Sequence, residues 1–430
     1  MIQPQTPNGA RSRVTKAAPS SLPQVCGSNE QAQRFIPLQS APFWNGCGRP
    51  EAIQACVLVK HRARQVLTAI RTLDNRLRLF SWRVNADGTV LCTGTTDAAV
   101  NDVTQITLIH ARKYVSACRT QSGSMHLQCW DVSNTGAIYP SGPATVVGGG
   151  LQWVTLLLLT PELVITIGLR RDGFWELTTW AISDDAAPQQ LDQMQMPATN
   201  GALAATLLAA PNNPIADHGA ATFVTVMHVA PNQLRWNQWQ AHANGRIVLQ
   251  QQVEQTHPAI VDLALTTVDQ SLVTVLHGAD GRLQVLHGWP AADPIAAGAS
   301  EPVTIAERVR HFSIAKHDSQ LMLAHVAAPL APVVATPSAL NATTSSVIHP
   351  DSGTPELTTV EMHQWQPATA QWIDCGTGTL PSPTATDLAL CNEPLDGNAP
   401  FLTAIGTTSG ELHLVTWADA SQTPQLPQSC

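Results

Sequence analysis

Short runs in which apolar and polar residues alternate recur along the chain, and six of them end on a tryptophan: RLRLFSW at Trp82, SMHLQCW at Trp130, FWELTTW at Trp180, QLRWNQW at Trp239, TVEMHQW at Trp365 and ELHLVTW at Trp417. Each has a large apolar residue five and three positions before the tryptophan, as Met125 and Leu127 stand before Trp130. Alternation of period two is the pattern of a strand, with side chains at odd separations on opposite faces. The two apolar residues therefore share one face and the tryptophan takes the other, so the strand needs a packing partner on both sides. A seventh run, RLQVLHGW, ends at Trp289 with one extra residue before its tryptophan, which reads as a bulge that re-aims the side chain.

The tryptophans are spaced 48, 50, 59, 50, 76 and 52 residues apart, a period near 50 with two insertions. Each unit divides into four short strands separated by Gly, Asn, Ser and Asp turns. In the second unit these are VTQITLIH, KYVSACRT, MHLQCWDV and GAIYPSG; in the first, IQACVLVKH, RQVLTAIRT, RLRLFSWRV and TVLCTGT. Seven four-stranded sheets, each sandwiched between two others, predict an all-β, seven-bladed β-propeller of antiparallel blades, in which ring closure protects the sheet edges. A unit whose third strand finishes in Trp, once as CWDV with Trp130 and Asp131, resembles the WD40-type blade. The resemblance spans about residues 51 to 430 and implies a WD40-like propeller.

Residues 1–50 precede the first unit. The first 30 or so read as a disordered arm, and RFIPLQSAPFW (residues 34–44) as an extended edge strand or a segment packed across the ring closure. The last unit ends in TPQLPQSC, so it either owns a proline-broken fourth strand or takes one from the N-terminus. Within the propeller, 51–430, the sixth unit carries a Pro/Ala/Thr/Ser-rich insertion at 327–356, a length that marks a linker-like or partner-contacting loop. The sequon at Asn341 reads as chance. A smaller insertion, APNNPIADHGAAT, holds Asn212, Asn213, Asp217 and His218 with no second ligand group at a fixed spacing, and reads as a polar turn.

Composition narrows the function classes. The chain has 430 residues, 44% hydrophobic and 13% charged, which excludes wholesale disorder. Its longest apolar stretch, Leu151 to Leu169, is cut by Pro161 and Glu162 and is too short to cross a bilayer. A net charge of −8 with scattered lysines gives no phosphate-tracking stripe, so nucleic acid is not an expected partner. The N-terminus lacks a secretory apolar core, and with Met1 as the start a cytoplasmic protein is expected. No CxxC pair occurs among nine cysteines; Cys56, Cys92, Cys118, Cys129, Cys375 and Cys391 fall in strand-like runs as buried thiols, while Cys26, Cys47 and Cys430 lie outside them.

No nucleophile elbow, phosphate loop, HExxH helix or dinucleotide fingerprint is present, so no catalytic residue, metal site or cofactor is assigned. His61, His110 and His317 close the first strands of three units and read as turn residues of the repeat. A second positional set lies eleven residues before the tryptophan: Arg71, Arg119 and His228, with Arg170 one step later in the third unit. These end the second strands, at one rim of the disc. They are either locally bonded hairpin residues or cationic contacts for an acidic peptide or protein surface, since Arg offers planar donors that suit carboxylates. The expected function is therefore a non-enzymatic propeller that binds a protein or peptide in a scaffold or regulatory role. The alternatives are a propeller that binds carbohydrate or a small ligand, and an enzyme with a site in the channel, which would need acidic or His residues converging from several first strands.

Overall fold

The computed structural model describes residues 35–43 and, between 53 and 419, all but a set of loop segments, the longest being 209–219, 289–301, 328–357 and 392–400. The alternating runs become the third strands of seven antiparallel sheets, and the described residues form no helix. Blade one is β2 (Ile53–Arg62), β3 (Gln65–Thr72), β4 (Leu77–Val84) and β5 (Val90–Asp97). Blade two is β6 (Val103–His110), β7 (Tyr114–Thr120) and β8 (Met125–Val132), with its fourth strand broken into β9 (Ile138–Pro140) and β10 (Thr145–Val147). Blade three runs β11 (Leu151–Thr160), β12 (Leu163–Arg170), β13 (Phe174–Ala181), β14 (Gln189–Pro197), and blade four β15 (Leu203–Leu207), β16 (Ala220–Ala230), β17 (Gln233–His242), β18 (Ile247–Thr256). Blade five runs β19 (Ile260–Val268), β20 (Ser271–Gly278), β21 (Leu283–His287), β22 (Val303–Ala306), and blade six β23 (Val309–His317), β24 (Gln320–Ala327), β25 (Thr358–Gln366), β26 (Gln371–Leu380).

Blade seven settles how the ring closes. Its first three strands are β27 (Ala385–Leu390), β28 (Phe401–Thr407) and β29 (Leu412–Asp419), and the fourth is β1 (Phe35–Phe43), paired antiparallel with β29 from Phe35 opposite Asp419 to Phe43 opposite Leu412. The N-terminal segment thus covers the edge that β29 would expose. Residues 1–34, the insertion 327–356 beyond Ala327, and Asn212, Asn213, Asp217 and His218 lie outside the described residues.

At six of the seven interfaces a blade buries its two alternating apolar residues against the tryptophan of the next. Leu77 and Leu79 of blade one pack with Trp130 of blade two. Met125 and Leu127 pack with Trp180, and Trp175 and Leu177 with Trp239. Leu283 and Val285 pack with Trp365, Val360 and Met362 with Trp417, and Leu412 and Leu414 close the circle on Trp82. At ~25 cal/mol per Å², each buried indole contributes about 4–6 kcal/mol of apolar transfer energy. The polar end of the indole is satisfied within its own blade. In five blades Nε1 donates to a hydroxyl fourteen residues earlier: Trp82 to Thr68, Trp130 to Ser116, Trp180 to Thr166, Trp239 to Thr225 and Trp417 to Thr403, at 2.8–3.1 Å.

Blade five departs from this plan. Matching Leu283 and Val285 to the apolar pair of the other blades puts Gly288, not Trp289, at the tryptophan position, and its N–H bonds the Leu272 carbonyl. β21 pairs with β20 without a register shift up to His287, and Trp289 itself lies outside the described residues. The hydroxyl that should receive the indole, Thr274, receives one from blade four instead: Trp236 Nε1 donates to Thr274 Oγ1 at 3.3 Å.

A bulge does occur on the fourth strand, opposite the tryptophan. The register skips Thr93, Leu191 and Gln250 in blades one, three and four. Onto this kink docks the next blade's hairpin glycine: a Cβ on Gly245 would sit 2.4 Å from Leu191 Cβ, and one on Gly136 within 2.5 Å of Thr93. Both glycines have positive φ, which suits the hairpin as well as the close approach. Hydroxyls just before the tryptophan lock the contact, Thr179 to the Gly245 carbonyl at 2.8 Å, Thr416 to that of Gly88 at 3.0 Å, and Ser81 to that of Gly136.

Candidate binding rim at the channel mouth

The ends of the second strands and the starts of the first strands meet at one rim of the disc. Arg71 and Arg119 hold equivalent places there, opposite Leu77 and Met125, the first apolar residues of their third strands. Arg71 Nη1 donates to the Thr104 carbonyl of blade two at 2.8 Å. Both side chains are half-buried, and their Nε atoms are enclosed with no hydrogen-bond partner among the described residues. Burial lowers the proton affinity of both guanidiniums. The Asp387 carboxylate partly offsets this for Arg71, whereas Arg171 and Arg71 add to it for Arg119. Arg119 is therefore within electrostatic reach of both Arg71 and Arg171.

Arg170 does not join them. Leu169 holds the position equivalent to Arg71, and Arg170 turns to Asp172 and Glu176, its Nε 3.1 Å from Asp172 Oδ2 and its Nη1 3.2 Å from Glu176 Oε2. These two acids raise its proton affinity, and the exposed Arg171, whose Nη2 reaches the Gln121 carbonyl at 3.3 Å, is the third cation of the group. His228 stands at the same rim on blade four, opposite Leu234. Counting from the apolar pair rather than the tryptophan adds a residue that the sequence reading missed: His277 of blade five, opposite Leu283, with Nε2 2.9 Å from the Val309 carbonyl.

The first strands supply a second layer. In six blades the register slips near the start of the first strand, and the residue after the slip is Ala55, Gln105, Trp153, Asp262, His311 or Asp387. Two of these clasp the next blade: Gln105 Oε1 accepts from Val154 N–H at 3.0 Å, and Asp387 Oδ2 from Cys56 N–H at 2.7 Å. Desolvation pushes the Asp387 carboxyl up to about 6, against the lowering effect of its hydrogen bonds to Cys56 and Leu388. Asp262 is exposed near the start of its strand, and desolvation raises its carboxyl too, with the Leu263 N–H hydrogen bond and His277 opposing. The signal for this pair was in the sequence, because DLAL occurs at both Asp262–Leu265 and Asp387–Leu390.

The histidines that close the first strands lie at the opposite rim. His61 and His110 meet on one residue, Tyr114 of blade two: His110 stacks on its ring at 4.5 Å and 12°, and His61 Nδ1 hydrogen-bonds its hydroxyl. Burial, with Arg62 and His110 adding to it, holds His61 down to about 4, so it is a neutral inter-blade contact. His317 ends β23, and its side chain lies outside the described residues. Cys56, Cys92, Cys118, Cys129, Cys375 and Cys391 are free thiols, and all but the half-buried Cys92 are buried. Burial raises the Cys118 and Cys375 thiols to about 12, which keeps them unreactive.

No protein-family model matches the sequence, and no curated protein matches it. Among solved structures, similar chains include AofleA from Arthrobotrys oligospora, at 8% identity and a TM-score of 0.46 over 80% of this chain and 90% of that one. A triple arginine-to-alanine mutant of the same protein gives 8% identity and a TM-score of 0.48, covering 80% and 91%. No helix among the described residues is long and apolar enough to cross a membrane.

Proposed function

We propose that this chain is a WD40-like binding propeller that holds an acidic peptide, or an acidic loop of a protein partner, on the rim formed by blades one to three. The observation that carries the reading is the grouping of Arg71, Arg119 and Arg171, with the buried Nε atoms of the first two lacking a hydrogen-bond partner among the described residues. Arg71 and Arg171 are held against backbone carbonyls, so these two guanidiniums are oriented before a ligand arrives, which reduces the entropy lost on binding a carboxylate. In this reading the protein works by binding rather than catalysis, in a scaffold or regulatory role, and the channel carboxylate Asp387 and amide Gln105 serve as clasps between blades. The free buried thiols agree with a reducing, cytoplasmic setting.

Fluorescence anisotropy with labelled Glu/Asp-rich peptides, against Lys-rich and neutral peptides, tests the reading. Acidic peptides should bind with an affinity that falls as salt rises. The double variant Arg119→Gln/Arg171→Gln should weaken binding by about 10-fold or more, at ~1.5–3 kcal/mol per charged hydrogen bond, while Arg170→Gln changes it little. Failure of every acidic peptide, or equal binding by the double variant, would refute this site.

A further inference from the structure

Blade six contains a second constellation, on its second and third strands. His325 on β24 stands directly opposite Glu361 on β25, and His363 follows two residues later on the same face of β25. The His325 and His363 Nε2 atoms are 3.0 Å apart, and Glu361 Oε2 is 3.3 Å from the first and 3.9 Å from the second. The two rings are parallel, with centroids 5.1 Å apart and 8° between planes. Four ligands about 2.0–2.1 Å from a zinc ion are separated by about 3.3 Å along each edge of the tetrahedron. The three measured separations bracket that edge, so a single ion fits over the triangle at bonding distance from all three atoms.

From these positions we infer that His325, Glu361 and His363 form a binding site for one divalent transition-metal ion of the zinc class, with one coordination position left open. Two imidazoles and a carboxylate suit a borderline-soft cation, and a three-ligand set leaves room for water or an incoming carboxylate. The His325 and His363 side chains are 1% and 11% exposed and that of Glu361 is 36% exposed, so the open side lies toward the carboxylate and solvent. Asp374 on β26, opposite His363, adds a second negative charge felt by both rings, which balances a divalent cation.

The other blades show what these positions hold when no such site is built. At the place of His325 they have Ile70, Cys118, Gly168, Met227, Leu276 and Ile405, and at the place of His363 they have Phe80, Gln128, Thr178, Asn237, Leu286 and Val415. Imidazoles in place of these mostly apolar or small residues cost desolvation, and His325 Nδ1 is buried with no hydrogen-bond partner among the described residues. A bound ion offsets that cost by taking a lone pair from each Nε2, two atoms that otherwise share one hydrogen bond.

The test is isothermal titration of the full chain, stripped with chelator, with Zn²⁺, repeated with Co²⁺ to read visible absorption. His325→Ile and His363→Val place side chains that the same positions already accept in other blades, and Glu361→Gln removes the charge; circular dichroism checks that each is folded. One tight Zn²⁺ equivalent per chain in the native protein, with the intense Co²⁺ bands of a low-coordinate site, is expected. That equivalent should be lost or weakened about 100-fold in each folded variant, a drop typical of deleting a group that holds or orients a metal. A native chain with no tight equivalent, or folded variants that bind as the native chain does, would overturn the assignment. Acidic peptides play no part in this titration, so its outcome is independent of the rim.

Discussion

Thr274 in blade five holds the place where five other blades accept an indole N–H from their own tryptophan, and it accepts one from Trp236 of blade four instead. The spare tryptophan in QLRWNQW and the glycine in RLQVLHGW are thus two halves of one adjustment, in which a large side chain on one wall of an interface replaces a missing one on the other. The sequence shows both residues but not their relation, because the extra residue before Trp289 shifts any count made from it. Counting from Leu283 restores the register and reveals His277. At this scale the tryptophans carry the stability. Trp130 is 3% exposed and hydrogen-bonded to Ser116, so Trp130→Ala should destabilise the domain by about 3–5 kcal/mol in chemical denaturation. A loss below about 1 kcal/mol would mean that the interface with blade one relaxes freely around the gap.

Between elements, the legible and the hidden separate by range. Strands and their faces follow from alternation, so all four strands of blade one and the first three of blade two lie within a few residues of their sequence boundaries, while the break that makes β10 was not legible. Pairings across an insertion do not follow. His325 and Glu361 face each other only because β24 and β25 resume the hairpin after the segment 328–357, and nothing local in EMH announces the partner. The Arg71 and Arg119 positions were readable from the period, whereas the exchange of Arg170 for Arg171 depended on Asp172 and Glu176 capturing the former.

The clasp between blades seven and one supplies a pH test at this scale. Asp387 holds its proton to about 6 in the fold against an ordinary value of 3.8, so between these values the folded chain binds the extra proton. The stability it contributes is fully present below the ordinary value and is lost as pH rises through about 6. Asp387→Asn should therefore flatten the fall in stability between about pH 4 and 7 seen in denaturant titrations, by up to about 3 kcal/mol. An unchanged slope would place the proton elsewhere.

For the whole molecule, the decisive pairing is β1 with β29. Seven blades whose interfaces run in a circle gain most when the last contact, between Leu412, Leu414 and Trp82, is held in place. Removing residues 1–44 leaves β29 as an open edge with unpaired backbone groups. The shortened chain should melt at lower temperature and associate in a concentration-dependent way by light scattering. A synthetic peptide of residues 34–44 should reverse both effects by adding back as a strand. A truncated chain that stays monomeric with an unchanged midpoint would show the ring to be held by its other interfaces alone.

That pairing also sets an order of events during synthesis. β1 leaves the ribosome before any blade exists, and β29 follows only after blades one to six have been translated, roughly tens of seconds later at ordinary elongation rates. Through that interval the first strand waits without its partner while blades one to six assemble behind it. Until β29 is made, that strand stays unmatched, open to capture by chaperones or by another copy on a neighbouring ribosome.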